Sequence, residues 1–219
     1  RPIKYVVETR SSDAVIFNMI EPEDPRVAYL LKQKFAFATH GRTKWCDQHP
    51  YYDYDNKAFI SVALKRLAAR GRRNVLAVLP PRNQNYAQDM VRGLEQGVGP
   101  LNINYRISQN VNSDQSSNDI LQCIMRRLAQ SPEIDAVICT SPKAAIAAIV
   151  AIEKSGRRLG HDIDVLTKEV APLLKMFREN IIVEKEDVGL AGQFLAKAVM
   201  QQLQFPDLPP LQHLFVLSD

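Results

Sequence analysis

The sequence lacks any long hydrophobic run. None of its 219 residues lies in a stretch approaching the ~18 apolar residues that a membrane-spanning helix needs. The N-terminal residues also lack the apolar core of a signal peptide, although a chain beginning after a cleaved signal would look the same. Cysteine is scarce, with three residues and no C-x-x-C pair, which favours a reducing cytosol over a disulfide-rich scaffold. We therefore expect a cytoplasmic protein without transmembrane helices.

The patterns that mark catalytic and cofactor sites are also missing. No G-x-S-x-G surrounds a serine, so a hydrolase nucleophile has no support in the sequence. No G-x-G-x-x-G follows a predicted strand, as a dinucleotide site requires. The four histidines, His40, His49, His161 and His213, lack the spacing of metal ligands. We therefore predict a binding protein without enzyme activity, with no metal and no cofactor.

Charge of one sign does not dominate the chain. Lys and Arg number 28 against 24 Asp and Glu, a formal net charge of +4, and the cations are spread thinly along the sequence. Clusters such as residues 70–73 and 157–158 fall at the ends of predicted helices, where cations complement the helix dipole. No stretch mixes dense Lys and Arg with stacking aromatics. The chain itself is therefore not predicted to bind nucleic acid.

Buried strands alternate with amphipathic helices along the whole chain. The predicted strands are residues 13–18, 35–39, 51–54, 74–79, 103–107, 134–139, 163–167 and 213–217. The predicted helices are residues 25–34, 57–70, 85–96, 117–130, 143–155 and 186–204. This alternation implies parallel sheets joined by right-handed crossovers, and the break near residues 70–74 suggests two α/β lobes. The first lobe has few predicted strands compared with the ~5–6 of a typical sheet.

Short motifs in a fixed order resemble the LacI family of bacterial transcriptional regulators. Residues 53–58 (DYDNKA) contain the D-N dipeptide that opens a helix in that family, and residues 69–75 (ARGRRNV) contain its G-x-R turn. Residues 90–94 (MVRGL) resemble its R-x-x-G-aromatic helix, and residues 135–141 (DAVICTS) its D-A-V-hydrophobic-C-x-N-D strand end. The order and spacing of these motifs carry the resemblance over residues 6–217.

The resemblance implies a two-lobed periplasmic-binding-protein-like fold, each lobe a mostly parallel sheet flanked by helices, with ligand in the cleft between the lobes. Residues 1–70 and 188–204 are expected to form the N-terminal lobe, and residues 71–187 and 205–219 the C-terminal lobe. A DNA-binding headpiece and the first strand–helix–strand of the N-terminal lobe are expected ahead of Arg1.

The function implied by the resemblance is regulatory. The chain would be the effector-binding and dimerisation core of a repressor that senses a sugar or related metabolite and controls binding to operator DNA. Its partners would be that effector, operator DNA through the headpiece, and a second copy in a homodimer. The alternative is the solute-binding protein of a sugar transporter, which has the same fold.

In parallel α/β sheets, ligands bind outside the carboxyl ends of the strands. Ten residues near such ends are candidate ligand contacts: Arg42, Trp45, Asp55, Asn56, Tyr86, Met90, Ser141, Lys168, Glu169 and Glu186. Three of them depart from the family pattern, because Met90, Ser141 and Glu169 stand where the family carries Arg, Asn and Asp. Arg82 or Arg92 is then a possible substitute for the missing arginine, and a Met90→Arg variant is expected to change ligand preference without unfolding the chain.

Structural roles compete with ligand contact at several of these positions. Either Asp55 or Asn56 is expected to cap the following helix. Trp45, the single tryptophan, either stacks on a sugar or anchors its loop. Lys168 is expected to pair with Glu169 if neither binds ligand. Glu186 is either a cleft residue or a carboxylate stabilised at a helix N-terminus.

Overall fold

The structure is a computed structural model that describes residues 2–169 and 173–217. These residues form two compact units. The first unit takes the chain up to Asp55, together with residues 83–86 and 187–216. The second unit takes residues 56–82 and 87–186. Each unit contains one parallel sheet with helices packed against it.

The helices and strands alternate as the sequence predicts. The chain begins with α1 (Pro2–Thr9), β1 (Ala14–Phe17), α2 (Pro25–Gln33), β2 (Ala36–His40), β3 (Tyr51–Tyr54) and α3 (Asn56–Ala69). It continues with β4 (Asn74–Val78), α4 (Asn85–Leu101), β5 (Asn104–Ile107), α5 (Ser117–Gln130), β6 (Ala136–Cys139) and α6 (Pro142–Lys154). The described chain ends with β7 (Asp164–Glu169), α7 (Leu174–Phe177), β8 (Ile182–Lys185), α8 (Val188–Gln204) and β9 (Gln212–Phe215).

Both sheets are parallel, which confirms the predicted α/β class. The strands of the first unit lie in the order β1-β2-β3-β9. The strands of the second unit lie in the order β5-β4-β6-β7-β8. In the second unit, α5 and α6 cover the apolar side chains of β4, β6 and β7, and these strands are buried along most of their length. This burial explains the near-continuous apolar sequences of β4 and β6.

The last strand does not lie where the sequence suggested. We expected residues 205–219 in the C-terminal lobe, but β9 pairs with β3 of the first sheet, from Tyr51 opposite Gln212 to Tyr54 opposite Phe215. Residues 56–69 were expected in the N-terminal lobe and instead group with the second unit. The strand β9 has four residues, two of them polar, and so short a run carries no information about which sheet edge it joins.

Two α-helices and one strand of the described residues were not predicted: α1, α7 and β8. The helix α7 has only four residues, about one turn, which is too short to show the apolar periodicity of a helix. The strand β8 is also four residues long and includes Glu184 and Lys185, so it lacks the continuous apolar pattern of its neighbours. It pairs in parallel with β7, from Leu166 opposite Ile182 to Glu169 opposite Lys185. The strand β8 ends at Lys185, and the helix that was expected to begin at residue 186 begins at Val188.

Helix starts are fixed by side chains that satisfy free backbone N–H groups. Ser116 caps α5, and its Oγ accepts a hydrogen bond from the N–H of Asp119 at 3.1 Å. Asp24 caps α2 by accepting from the N–H of Arg26 at 2.9 Å. Asp187 caps α8 by accepting from the N–H of Leu190 at 3.1 Å. These caps account for where the three helices begin.

A close approach between α3 and α4 depends on Gly93. A Cβ atom on Gly93 would lie 2.8 Å from Cβ of Ile60 and 3.0 Å from the carbonyl oxygen of Lys57. We expect Gly93→Ala to lower the free energy of unfolding by about 1–3 kcal/mol, because the two helices must move apart. Gly99→Ala is the matched control on the same helix: nothing lies within 4 Å of its Cβ position. Urea denaturation of both variants measures the difference, and equal losses would contradict this packing.

A buried carboxylate fastens the end of α3 to the start of β7. Asp164 is fully buried and accepts hydrogen bonds from Arg70 Nε at 2.8 Å and Nη2 at 3.0 Å, and from Arg72 Nε at 2.7 Å. Burial raises the pKa of Asp164, but the hydrogen bonds from Arg70 and Arg72 outweigh it, so the net pKa is lowered. Two of the cations that the sequence suggested would complement a helix dipole therefore form an ion-pair cluster instead.

Candidate functional site

A groove of about 980 Å³ lies in the second unit, at the carboxyl ends of β4 and β5. Its apolar lining is Leu79, Pro80, Ala87, Val91, Ile107 and Val111. Its polar lining is Arg82, Gln88, Arg92, Ser108, Gln109, Asn110 and Asn112. The groove is therefore built from the two strand ends, the outer face of the first turns of α4 and the loop that follows β5.

Backbone hydrogen bonds fix the loop that forms one wall of the groove. The N–H of Ser108 donates to the carbonyl of Ala77, and the N–H of Ser113 donates to the carbonyl of Leu79, both at 2.9 Å. Within the loop, the Ser108 hydroxyl donates to the carbonyl of Val111 at 2.7 Å. Both ends of this wall are thus tied to β4, so the groove is shaped before any ligand arrives.

The lining chemistry suits a small molecule that carries hydroxyl groups. The side-chain amides of Gln88, Gln109, Asn110 and Asn112 each offer both a donor and an acceptor. The guanidinium groups of Arg82 and Arg92 add donors only. The volume lies within the roughly 300–1,000 Å³ of ligand pockets, which combine apolar walls with a few placed polar groups.

Three candidate residues meet in a second cluster of the same unit. The Nζ of Lys168 donates to Asn56 Oδ1 at 2.9 Å and lies 2.9 Å from Glu186 Oε2. The ammonium also lies 5.7 Å from the ring centroid of Phe59. Lys168 and Asn56 are buried, so the charge of Lys168 is balanced inside the fold by Glu186. The expected pairing of Lys168 with Glu169 is wrong, because the carboxylate that pairs with Lys168 belongs to Glu186, two residues before α8 begins.

Two other candidates are engaged by helix starts in the second unit. Glu169 is buried, and its Oε1 accepts a short hydrogen bond from the N–H of Leu174 at the start of α7. Ser141 caps α6, and its Oγ accepts from the N–H of Ala144 at 3.2 Å. Ser141 and Glu169, which stand where the family pattern carries Asn and Asp, thus both stabilise local structure.

Met90 is fully buried, which assigns it to the packing of α4 and not to a ligand-lined surface. The expectation that Met90→Arg leaves the fold intact is not supported by this placement, because an arginine there would bury a charge. Arg82 and Arg92, named as possible substitutes for the missing arginine, both line the groove.

Four candidates belong to the first unit: Arg42, Trp45, Asp55 and Tyr86. Arg42 Nε donates to Asp53 Oδ2 at 2.7 Å. Trp45 packs against the buried cluster that contains Phe37, which supports the loop-anchor interpretation. The N–H of Asp55 donates to the carbonyl of Phe215 at 2.9 Å, where α3 is about to begin. Tyr86 is half-buried in the first turn of α4. None of the ten candidates lines the groove of the second unit.

His49 is a buried histidine of the first unit with a structural role. Its Nδ1 donates to the carbonyl of Pro50 at 2.9 Å, since a carbonyl can only accept, and its Nε2 lies 3.1 Å from the Thr43 hydroxyl. Burial lowers the pKa of His49 below its ordinary value of 6.5. The folded chain therefore holds His49 neutral at a pH where the unfolded chain would protonate it.

This lowered pKa predicts a loss of stability in mild acid. The stabilisation is complete above the unfolded pKa of 6.5 and is lost as the pH falls toward the folded pKa. For one proton, the slope in that window has an upper limit of about 1.4 kcal/mol per pH unit. We expect His49→Gln to remove this slope from urea denaturation curves, whereas the exposed His161→Gln control keeps it. An unchanged slope in His49→Gln would contradict the assignment.

The described part of the chain, residues 2–169 and 173–217, offers neither a cluster of metal ligands nor a membrane-spanning helix. Over these ranges, no group of three or more His, Cys, Asp or Glu side chains is placed to hold a metal ion. Over the same ranges, no helix is both long enough and apolar enough to cross a membrane.

Known proteins place the chain in a family. The profile of the family described as "periplasmic binding proteins and sugar binding domain of LacI family" matches residues 6–204. The chain belongs to this family. The LacI-family resemblance read from the motifs is thereby confirmed, together with the periplasmic-binding-protein-like fold.

Two curated relatives of this LacI-family chain are transcriptional regulators. The HTH-type transcriptional regulator AglR of Rhizobium meliloti (strain 1021) is 24% identical over 203 residues, which cover 89% of the chain and 57% of AglR. The HTH-type transcriptional regulator CelR of Thermobifida fusca is 19% identical over 202 residues, which cover 91% of the chain and 59% of CelR. The chain thus spans less than three fifths of each relative.

A solved structure of another protein shares the fold of this chain. The complex of the transcriptional regulator CelR with cellobiose superimposes with a TM-score of 0.84 at 17% sequence identity. The match covers 99% of this chain and 66% of the CelR chain.

Proposed function

We propose that the chain is the effector-binding core of a LacI-type transcriptional regulator in the cytoplasm. Its role is to bind a sugar or related metabolite, and the bound state controls how a DNA-binding region of the same protein engages operator DNA. Binding, and not catalysis, is the proposed activity. We further propose that the regulator works as a homodimer, because operators with two half-sites match a two-fold symmetric protein.

Family membership is the observation that carries this proposal. The match extends over residues 6–204, and both curated relatives that it resembles are HTH-type regulators. The groove at the ends of β4 and β5 supports the ligand part of the proposal, because strand ends are where parallel α/β sheets bind ligands. Its side-chain amides can match the hydroxyl groups of a sugar.

A ligand screen followed by a DNA-binding assay tests the proposal. Differential scanning fluorimetry of the 219-residue chain is run with a panel of neutral sugars, polyols, sugar acids and sugar phosphates. We expect at least one sugar to raise the melting temperature, since a ligand that binds only the folded state stabilises it. A panel in which no sugar has an effect would contradict the ligand assignment.

The DNA assay separates the regulator from a transport protein of the same fold. The complete gene product is titrated onto the promoter of its own operon by fluorescence anisotropy, with and without the stabilising sugar. The proposal predicts that the sugar changes DNA affinity by about tenfold or more, which corresponds to a coupling free energy of about 1.4 kcal/mol. Sugar binding without any DNA binding would favour the solute-binding alternative.

A further inference from the structure

We infer that the groove of the second unit selects an anionic sugar, with Arg82 as the residue that binds the anionic group. This inference rests on the proposed function and narrows its ligand class. The shared chemistry is a hydroxyl-rich molecule that carries one phosphate or carboxylate group.

The charge of the groove lining carries the inference. Among its described lining residues, two are arginines and none is acidic. Arg92 is paired with the buried carboxylate of Asp89, one turn earlier on α4, so its charge is largely balanced. Arg82 is exposed, and no acidic side chain of the described residues pairs with it. The lining therefore presents a net positive charge at Arg82.

The position of Arg82 adds to this effect. Arg82 lies between Pro80-Pro81, which restrict the backbone after β4, and the N-terminus of α4 at Asn85. The first turn of α4 contains no acidic residue, so the partial positive charge of this 17-residue helix is not offset there. A guanidinium group can donate two parallel hydrogen bonds to a phosphate or carboxylate. The N-terminus of α4 and the guanidinium group of Arg82 thus both favour a negatively charged ligand.

The remaining polar lining explains why the anion should be attached to a sugar. Gln88, Asn110 and Asn112 supply neutral amides, and Ala87 and Val91 supply apolar surface next to them. Inorganic phosphate would use Arg82 but leave the amides and the apolar wall without contacts. A sugar phosphate or sugar acid contacts both parts of the groove, so it is expected to bind more tightly than either a neutral sugar or free phosphate.

Isothermal titration calorimetry of the 219-residue chain tests the inference with matched probes. Glucose is compared with glucose 6-phosphate and glucuronate, fructose with fructose 6-phosphate, and inorganic phosphate is titrated alone. We expect at least one anionic sugar to bind about tenfold or more tightly than its neutral partner, as a charge-assisted hydrogen bond allows. The phosphate and glucuronate probes distinguish the two sources of negative charge.

Two variants of equal net charge locate the effect. Arg82→Gln should bring the ratio of the dissociation constants of the neutral and the anionic sugar close to one. Arg126→Gln is the matched control, because Arg126 is exposed on α5 and bonds only to the carbonyl of its own helix at Gln122 among the described contacts. The Arg126→Gln variant should keep the wild-type preference for the anionic sugar within about twofold. In the wild-type chain, this preference should weaken at high salt because exposed charges are screened.

Each outcome bears on the inference. Equal affinity for neutral and anionic sugars, or an anionic preference that survives Arg82→Gln, would overturn it and leave the proposed function standing. If inorganic phosphate binds as tightly as a sugar phosphate, the claim that the groove also recognises the sugar is overturned. Failure of every anionic probe would also overturn the inference, and the proposed function fails with it only if the neutral sugars and the DNA assay fail as well.

Discussion

Asp164→Ala is expected to lower the free energy of unfolding by about 3–5 kcal/mol, the usual effect of breaking a buried ion pair. The side chain of Asp164 is inaccessible to solvent, and that of Arg72 is 15% exposed, so removal of the carboxylate leaves a poorly hydrated cation. Urea denaturation of the wild-type chain and the variant measures the loss. A loss below about 1 kcal/mol would show that solvent already screens the cluster.

Asp162→Ala is the matched control, two residues earlier in the chain. Asp162 pairs with Arg158 at the surface, so its removal should change the free energy of unfolding much less. The Asp164 effect should also depend on pH. Since the folded pKa of Asp164 is below its ordinary 3.8, its stabilisation is present above about pH 4 and lost as the pH falls through the folded pKa. The gap between wild type and Asp164→Ala should therefore narrow in acid.

Filling the groove is expected to abolish most of the sugar binding. The double variant Gln88→Trp/Val91→Trp places two large side chains three residues apart on the face of α4 that lines the groove. We expect it to weaken binding of the tightest sugar of the panel by about tenfold or more, a loss of at least about 1.4 kcal/mol. Calorimetry measures the dissociation constant, and the melting temperature without ligand reports whether the fold is kept.

The control for bulk and hydrophobicity lies on the same helix. Gln96→Trp/Gly99→Trp has the same spacing, but neither residue lines the groove, and the Cβ position of Gly99 faces open space. It should bind the sugar as the wild type does. Unaltered binding in the groove variant, or equal losses in both variants, would place the sugar elsewhere.

Apolar periodicity was enough to predict most of the fold, because it reports directly on burial. The strands β4 and β6 read as continuous apolar runs, and both are buried on both faces of their sheet. The partner of β9 was not predictable, because strand pairing at a sheet edge depends on backbone groups that every residue carries. The short strand β8 was missed since four residues with two charges give no strand pattern.

The candidate site was predicted less well, and strand geometry explains why. Neighbouring residues of a strand point to opposite faces of the sheet, so the side chains of Lys168 and Glu169 do not pair with each other although the two residues are adjacent. Lys168 meets Asn56 and Glu186, whereas Glu169 meets the start of α7. By contrast, the strand-end rule and the missing family arginine together pointed to Arg82 and Arg92, and both line the groove.

A crystal structure of the chain with its tightest-binding sugar would show directly where the ligand binds. We expect the sugar to lie in the groove, against Gln88 and Val91 of α4 and the loop of residues 108–112, at the carboxyl ends of β4 and β5. A sugar bound without contact to any of these residues would contradict this placement.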